Sequence, residues 1–394
     1  MRNDFTKNYD VVVCGGGVAG VAAALAAARR GSKVALVEKT VLWGGLATTG
    51  IVFIYLPLCD GNGTQVTFGI SEEFLKGGMK YGPGDIPDGW KTGKNLEEAK
   101  RYRTVFSPAS MVLALDEMLQ ETTCDLFVDT QVIDVECNAG RVESVIVANK
   151  SGTGKLKAGA FVDATGDADL AFFAGANCPT MANALACWSL EYCEGAKGSD
   201  FIAPNIRASI VGMCTDKDFT APGINGRMVS EFILAGRSEY RKKLQKDYES
   251  GKSNRYTRFP LKVPAMADFR HTRRIDGDFT LLSGMEWQAF EDSIGVCADW
   301  RVSGKVWEIP YRTLLPKTLE NVLTAGRCIS SQEDAWEVTR VIPVAALTGE
   351  AAGIAAALTA EQGKSSREVA YTEVQQAMKK AGNPIHISEL YPGK

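Results

Sequence analysis

The amino-acid sequence predicts an α/β fold with a Rossmann-like opening, and three observations carry that expectation. A β-branched, buried strand, Tyr9 to Val13, runs through Gly15-Gly16-Gly17-Val18-Ala19-Gly20 into an alanine-rich helix that reaches about Arg30. A second apolar strand, Lys33 to Val37, ends on the acid Glu38. Far along the chain, Asn321 to Arg327 reads as another buried strand leading into a turn. From Arg340 a helix of small residues then runs to about Ala360, with Pro343 near its first turn, so the chain returns to the sheet it began.

In the first turn, Gly15 permits the tight bend, Gly17 lets the backbone approach a pyrophosphate, and Gly20 lets the helix pack closely on the sheet. Unpaired N–H groups at the helix start face the phosphates, where the helix dipole adds about half a positive charge. Glu38 stands where a carboxylate accepts hydrogen bonds from both ribose hydroxyls of an adenosine and repels a 2′-phosphate. Strand, motif, helix, strand and acid in that order predict dinucleotide binding, without separating NAD from FAD. Gly44-Gly45-Leu46-Ala47-Thr48-Thr49-Gly50 follows as a second small-residue loop, suited to lie along the pyrophosphate and ribitol or to serve as a plain surface turn.

Composition narrows the function classes. The 394 residues are 45% hydrophobic, enough for a sizeable core, and 44 basic against 47 acidic side chains leave a net charge of −3 without a basic arm for nucleic acid. Ten cysteines show no CxxC, which reads as reduced thiols in a cytoplasmic protein. With two histidines, His271 and His386, a histidine-built metal centre is not expected and hydrolysis by a triad is disfavoured. The N-terminus lacks the apolar region of a secretory signal. The uncharged run Val11 to Ala28 has the length of a membrane span, but its four glycines mark a buried strand, turn and helix.

Further along, Gly77 to Gly93 is a Gly/Pro-rich stretch, either a lid over a pocket or a surface loop. Pro108 to Gln120 reads as an amphipathic helix, and Leu126 to Val135 with Arg141 to Asn149 as a hairpin around Asn138-Ala139-Gly140. Phe161 to Asp169 reads as a strand ending in the turn Thr165-Gly166-Asp167, a second place where backbone would meet a dinucleotide. Arg237 to Lys252 is a charged helix with a solvated face. The late return of the chain favours a flavin, because a second helix start would aim its dipole at the ring edge where negative charge collects on reduction.

These residues together resemble the FAD-dependent oxidoreductases of the glutathione-reductase-type flavoprotein superfamily, in the branch with a GGLAT loop. Beyond the first motif and Glu38, the matches are Gly44 to Thr48, Gly69-Ile70-Ser71-Glu72-Glu73, Asp163 to Asp167, Arg273-Arg274-Ile275, Ile309-Pro310-Tyr311-Arg312, Ala325-Gly326-Arg327-Cys328 and Arg340-Val341-Ile342-Pro343, in the family's order. The resemblance implies a Rossmann-like three-layer FAD-binding domain with an inserted, mostly β, substrate domain (α+β). The FAD-binding domain would comprise residues 1–50, 105–176 and 310–365, the cap 51–104 and 177–309, with a helical tail at 366–394. It implies FAD as cofactor, held by Gly15, Gly17, Val18, Ala19, Gly20, Glu38, Lys39, Gly44, Gly45, Leu46, Ala47, Thr48, Val132, Ala164, Thr165, Gly166, Gly326, Arg327, Arg340, Pro343, Val344 and Ala345. Where the wider superfamily has an acid against the ribitol, this chain has Arg327, so a cationic contact to the pyrophosphate is expected instead.

No second GxGxxG follows, so electrons enter or leave through the substrate, a diffusing NAD(P)H, oxygen or a redox protein. The expected function is two-electron hydride transfer between flavin N5 and a small organic substrate. A flavin-bearing relay subunit of a larger redox complex is the alternative. His271, Arg273 and Arg340 are the candidate catalytic residues: an imidazole suits acid/base work near neutral pH, and guanidinium forks match planar oxyanions. A histidine bonded structurally in a cationic turn is the competing reading of His271. The loop from Ser331 to Arg340, with Glu333, Asp334, Trp336 and Glu337, is expected to face the flavin ring or to lie exposed. Cys328 reads as a buried, inert thiol. No nucleic-acid or membrane partner is expected, and a homo-oligomer is compatible with the sequence.

Overall fold

The computed structural model describes residues 5–86, 104–196, 201–211 and 222–393. The opening strand, Asn8–Cys14, pairs in parallel with Val34–Val37 on one side and with the second half of Gly152–Asp163 on the other. Asp125–Phe127 and Val322–Thr324 add further parallel strands. Their register sets Val37 beside Cys14, Cys14 beside Asp163, and Asp163 beside Thr324. The carboxyl ends of four strands therefore form one row, the place where open α/β sheets bind ligands.

The sheet has seven strands because the first half of Gly152–Asp163 also pairs antiparallel with Arg141–Asn149, which pairs with Gln131–Asn138. The expected hairpin is thus a three-stranded meander. Its two-residue turn, Ala139 at φ 46° and Gly140 at φ 82°, has the mirror-image geometry that suits tight hairpins. The stretch expected as one strand from Leu126 is split: Asp125–Phe127 extends the parallel edge, and the chain turns through Asp129, at φ 49°, before Gln131.

Helix Val18–Arg29 packs against the late helix Ile342–Gln362, both buried almost all round. Gly349 and Gly353 make this contact: a Cβ on either would stand 2.2 Å from the carbonyl oxygen of Ala19 or Ala23. The late helix is long and apolar enough to cross a membrane, and 94% of its most apolar window is buried inside the protein, as in a core helix.

Helix Ile70–Lys80 takes in the start of the stretch expected to be irregular from Gly77, and lays Gly77 and Gly78 against Met118 and Met111 of helix Pro108–Gln120. Residues 87–93 of that stretch lie outside the described residues. A second, antiparallel sheet is formed by Phe201–Ala203, Ile206–Val211, Cys187–Cys193 and Arg258–Lys262. Helix Gly226–Glu249 lies on it and buries Phe232, Gly236, Tyr240 and Leu244, one residue per turn. It begins well before the expected Arg237, where the Asn225 side chain accepts a bond of 3.0 Å from Met228 N–H. Beneath the helix, buried Glu191 accepts from Arg207, Arg258 and Tyr240. One hydrophobic cluster joins the motif helix and the late helix to Phe53, Tyr55, Phe74, Ile294 and Trp307. The tail helix Tyr371–Lys380 closes on it through Val374 and Met378.

Candidate functional site

A cavity of about 1070 Å³, counting its open mouth, lies over the row of strand ends. The loop after Cys14 forms its floor. Gly15 sits at φ 101°, with room for no side chain because a Cβ would stand 2.4 Å from the Ala164 carbonyl. Gly20 packs still closer, 1.7 Å from the Gly15 oxygen by the same measure, while a Cβ on Gly17 would meet no atom within 4 Å and points into open space. The second loop stacks on the first. Gly44 N–H donates to the Gly16 carbonyl at 2.8 Å, and a Cβ on Gly45 would stand 3.0 Å from Gly17 Cα. Buried Glu38 accepts from Gly16 N–H and Thr40 N–H, each at 2.8 Å, and so braces the motif while facing the cavity.

The turn after Asp163 forms the next wall. The Asp163 carboxylate accepts from the Thr165 hydroxyl at 2.7 Å and from Ala171 N–H at 2.9 Å, and burial pushes its pKa up. Arg327 reaches across to this turn: Nε donates to Gly166 O at 2.6 Å, Nη2 to Asp167 Oδ1 at 2.6 Å, and Nη1 to Phe269 O. All three nitrogens serve protein acceptors, so Arg327 cross-links two turns while it lines the cavity. Asp169, at the cavity edge, is raised to about 6, by burial first and then by Asp167 and Asp163.

At the far end the late helix starts at Ile342 behind Val341, with no side-chain cap and no acid in its first turn. Arg340 forms the wall there. Burial lowers its pKa and Arg270 and Arg327 add to that, opposed by Glu337, whose Oε2 accepts from Arg340 Nε at 3.2 Å and from Nη2. Glu337 Oε1 lies 3.1 Å from His271 Nε2. Burial alone would raise Glu337, but His271 and Arg340 outweigh it and hold its carboxyl at about 2.

Most of the residues expected around the cofactor line this cavity: Gly15, Gly17, Val18, Ala19, Glu38, Lys39, Gly44 to Ala47, Val132, Ala164 to Gly166, Gly326, Arg327, Arg340 and Ala345. Gly20, Thr48, Pro343 and Val344 stand one layer behind; the Thr48 hydroxyl donates to Trp43 O at 2.6 Å and shapes the loop. The other two candidate catalysts are not in the wall. Buried His271 sits edge-on to Trp336, ring centres 4.8 Å apart, with its backbone N–H on Asn183. Arg273 donates to Asp169 at 2.9 Å and to Ile224 O at 3.1 Å, and lies 4.0 Å over the Phe172 ring. It ties the Asp163 turn to the segment before helix Gly226–Glu249.

The expected loop of Glu333 to Glu337 is a helix, Glu333–Thr339, with two acids in its first turn, and Trp336 is buried with Nε1 donating to Arg327 O at 2.7 Å. Cys328 is buried, and burial pushes its thiol up, away from the reactive thiolate. Sequence reasoning did not find Thr130, Gln131 and Met266 in the wall. Thr130 had a signal, since it follows a parallel strand, and its N–H donates to Glu38 O at 3.0 Å. Met266 has none in its local sequence.

This arrangement fits a dinucleotide with an attached ring system. Gly17 opens on space where a phosphate would approach, two helix starts without side-chain caps meet the cavity, and Glu38 stands at one end. A family model described as FAD dependent oxidoreductase matches residues 10–186 and 215–378. Among curated proteins, a stretch of 98 residues, 24% of this chain, is 35% identical to a Dictyostelium discoideum protein whose name reads bifunctional amine oxidase, and covers 9% of that protein's length. Among solved structures, the p-nitrophenol 4-monooxygenase PnpA of Pseudomonas putida matches with a TM-score of 0.50 and 11% identity over 95% of this chain and 84% of that one, a likeness of fold. A geranylgeranyl bacteriochlorophyll reductase-like protein of Thermoplasma acidophilum matches at 0.49, with 14% identity over 95% of this chain and 82% of that one. The family match takes in both of the separated glycine turns that build the cavity floor, and the chain belongs to the FAD dependent oxidoreductases.

Proposed function

We propose that the enzyme passes a hydride between N5 of its FAD and a carbon of a small organic substrate. The observation that carries this reading is the convergence of two glycine turns, the Asp163 turn and the start of the late helix on a single cavity. Backbone N–H groups from Gly17 onward would hold the phosphates, the Glu38 carboxylate the adenosine ribose, and the Ile342 helix start together with Arg340 the ring end. Bound FAD supplies a two-electron donor or acceptor. Leu46, Met266 and Ile342, which line the cavity, would give the ring system apolar contacts.

The antiparallel sheet of Cys187–Cys193 and its neighbours serves in this reading as the cap over the substrate. A diffusing NAD(P)H, oxygen or a redox protein completes the electron balance. The test is anaerobic mixing of the purified yellow protein with hydroxy acids, amines, sugars and NAD(P)H. Bleaching of the flavin band by one class assigns substrate and direction; a band that no small molecule bleaches overturns the proposal.

A further inference from the structure

Arg340 is a cation in an unfavourable place. Its side chain is 14% exposed, it lines the ring end of the cavity, and the neighbouring Arg270 and Arg327 both work against its charge. Arg327 has a carboxylate of its own in Asp167, at 2.6 Å. Arg340 has Glu337, bound through Nε and Nη2, and that carboxylate also faces His271 at 3.1 Å. Among the described residues Arg340 Nη1 takes no protein partner. Nearby, the helix start at Ile342 adds further positive potential without an acid in its first turn.

We propose that Arg340 is the anchor of a substrate subsite for a carboxylate through its open Nη1, and that Glu337 is its built-in competitor, an internal carboxylate that holds the other two guanidinium nitrogens and neutralises part of the charge an anion would meet. The inference rests on the FAD-enzyme reading above and deepens it by naming the substrate class, a small organic acid. A planar carboxylate matches guanidinium donors, and the open Nη1 offers an anion a charge-assisted hydrogen bond that is weaker to a neutral amide. Glu337 works against this attraction: its charge repels an incoming anion, so only a ligand that reaches Nη1 directly is held. Trp300 Nε1, donating to Glu337 O at 2.9 Å, fixes the backbone of that turn and keeps the competitor in position.

The experiment uses the flavin-loaded protein, with acetate and benzoate as probes and acetamide and benzamide as their neutral counterparts, and reads binding by calorimetry. The carboxylates are expected to bind at least about tenfold tighter than the amides. Arg340→Met is expected to remove that preference, and Glu337→Gln to strengthen carboxylate binding severalfold by releasing the guanidinium. Equal binding of acids and amides to the yellow wild-type protein overturns the proposal while leaving the FAD reading intact; a colourless protein that refuses added flavin overturns the FAD reading itself. Carboxylate affinity within about twofold of wild type in Arg340→Met also overturns the proposal. Should that variant lose its flavin, Glu337→Gln decides, and weaker or unchanged carboxylate binding there counts against the proposal.

Discussion

Gly17 and Gly20 lie three residues apart in one motif, yet the structure predicts opposite consequences for replacing them by alanine. At Gly17 the backbone is extended, φ −67° and ψ 179°, which any residue adopts, and a Cβ meets no protein atom within 4 Å. Alanine is a poorer N-cap than glycine by some tenths of a kcal/mol, and it stiffens the unfolded chain by about 0.4–1 kcal/mol. The two effects oppose each other, so apoprotein stability should change by less than about 1 kcal/mol. The new methyl group stands where a phosphate approaches the helix start. Loss of one charge-assisted hydrogen bond there costs about 1.5–3 kcal/mol, roughly a 10- to 150-fold weaker Kd for FAD. In Gly20→Ala the Cβ would stand 1.7 Å from the Gly15 oxygen, so the loop must shift and the fold itself loses stability. Denaturant melts of both apoproteins, with FAD titration followed by quenching of flavin fluorescence, separate the two. Gly17→Ala protein that unfolds far more easily than wild type, or that binds FAD within about threefold of it, refutes the assignment of Gly17 to the cofactor.

Two further outcomes follow from buried groups. Gly69, at φ 58° and ψ −139°, faces Asn383 and Glu350 so closely that a Cβ would stand 2.4 and 2.5 Å from their side-chain atoms; Gly69→Ala should cost about 3 kcal/mol in a urea melt, and a loss under about 1 kcal/mol contradicts the packing. Asp268 and Glu350 are both raised to about 7 by burial, so the folded state holds more protons than the unfolded one from about pH 4 to 7 and stability falls as pH rises through that window. Glu337, held at about 2, works the other way and loses its contribution only in stronger acid. Urea midpoints measured from pH 5 to pH 8 should therefore decline, and Asp268→Asn should flatten the decline; a midpoint that rises across this range rules the assignment out.

The opening of the fold was legible in the sequence because its signals are local. Strand, glycine turn and alanine-rich helix each declare themselves within a few residues, and proline at position 343 marks the late helix start by the same kind of rule. The helix Glu333–Thr339 was missed because it is short and has no apolar period of its own; the Arg327 carbonyl that anchors Trp336 holds it instead. His271 and Arg273 were singled out for their chemistry, but what a buried charge does is decided by its partners. Those of Arg273, Asp169 and Ile224, lie 104 and 49 residues away in the chain. Glu337, which the sequence placed in a loop, becomes the partner of two candidate residues only once the chain has folded.

Arg327 shows how one substitution redistributes the chemistry of a site. An acid in its place would stand against Asp167, in a turn where burial, and after it the charges of Asp167 and Asp163, already raise Asp169 to about 6. The arginine reverses that repulsion and ties Gly166, Asp167 and Phe269 into one unit, which fixes the two turns whose backbones face the cavity. With the Arg327 nitrogens engaged by this cross-link, the proposed carboxylate subsite falls to Arg340, which lines the same cavity. A lysine at position 327 would keep the charge but reach one acceptor at a time, so the turns would loosen although the net charge stayed the same.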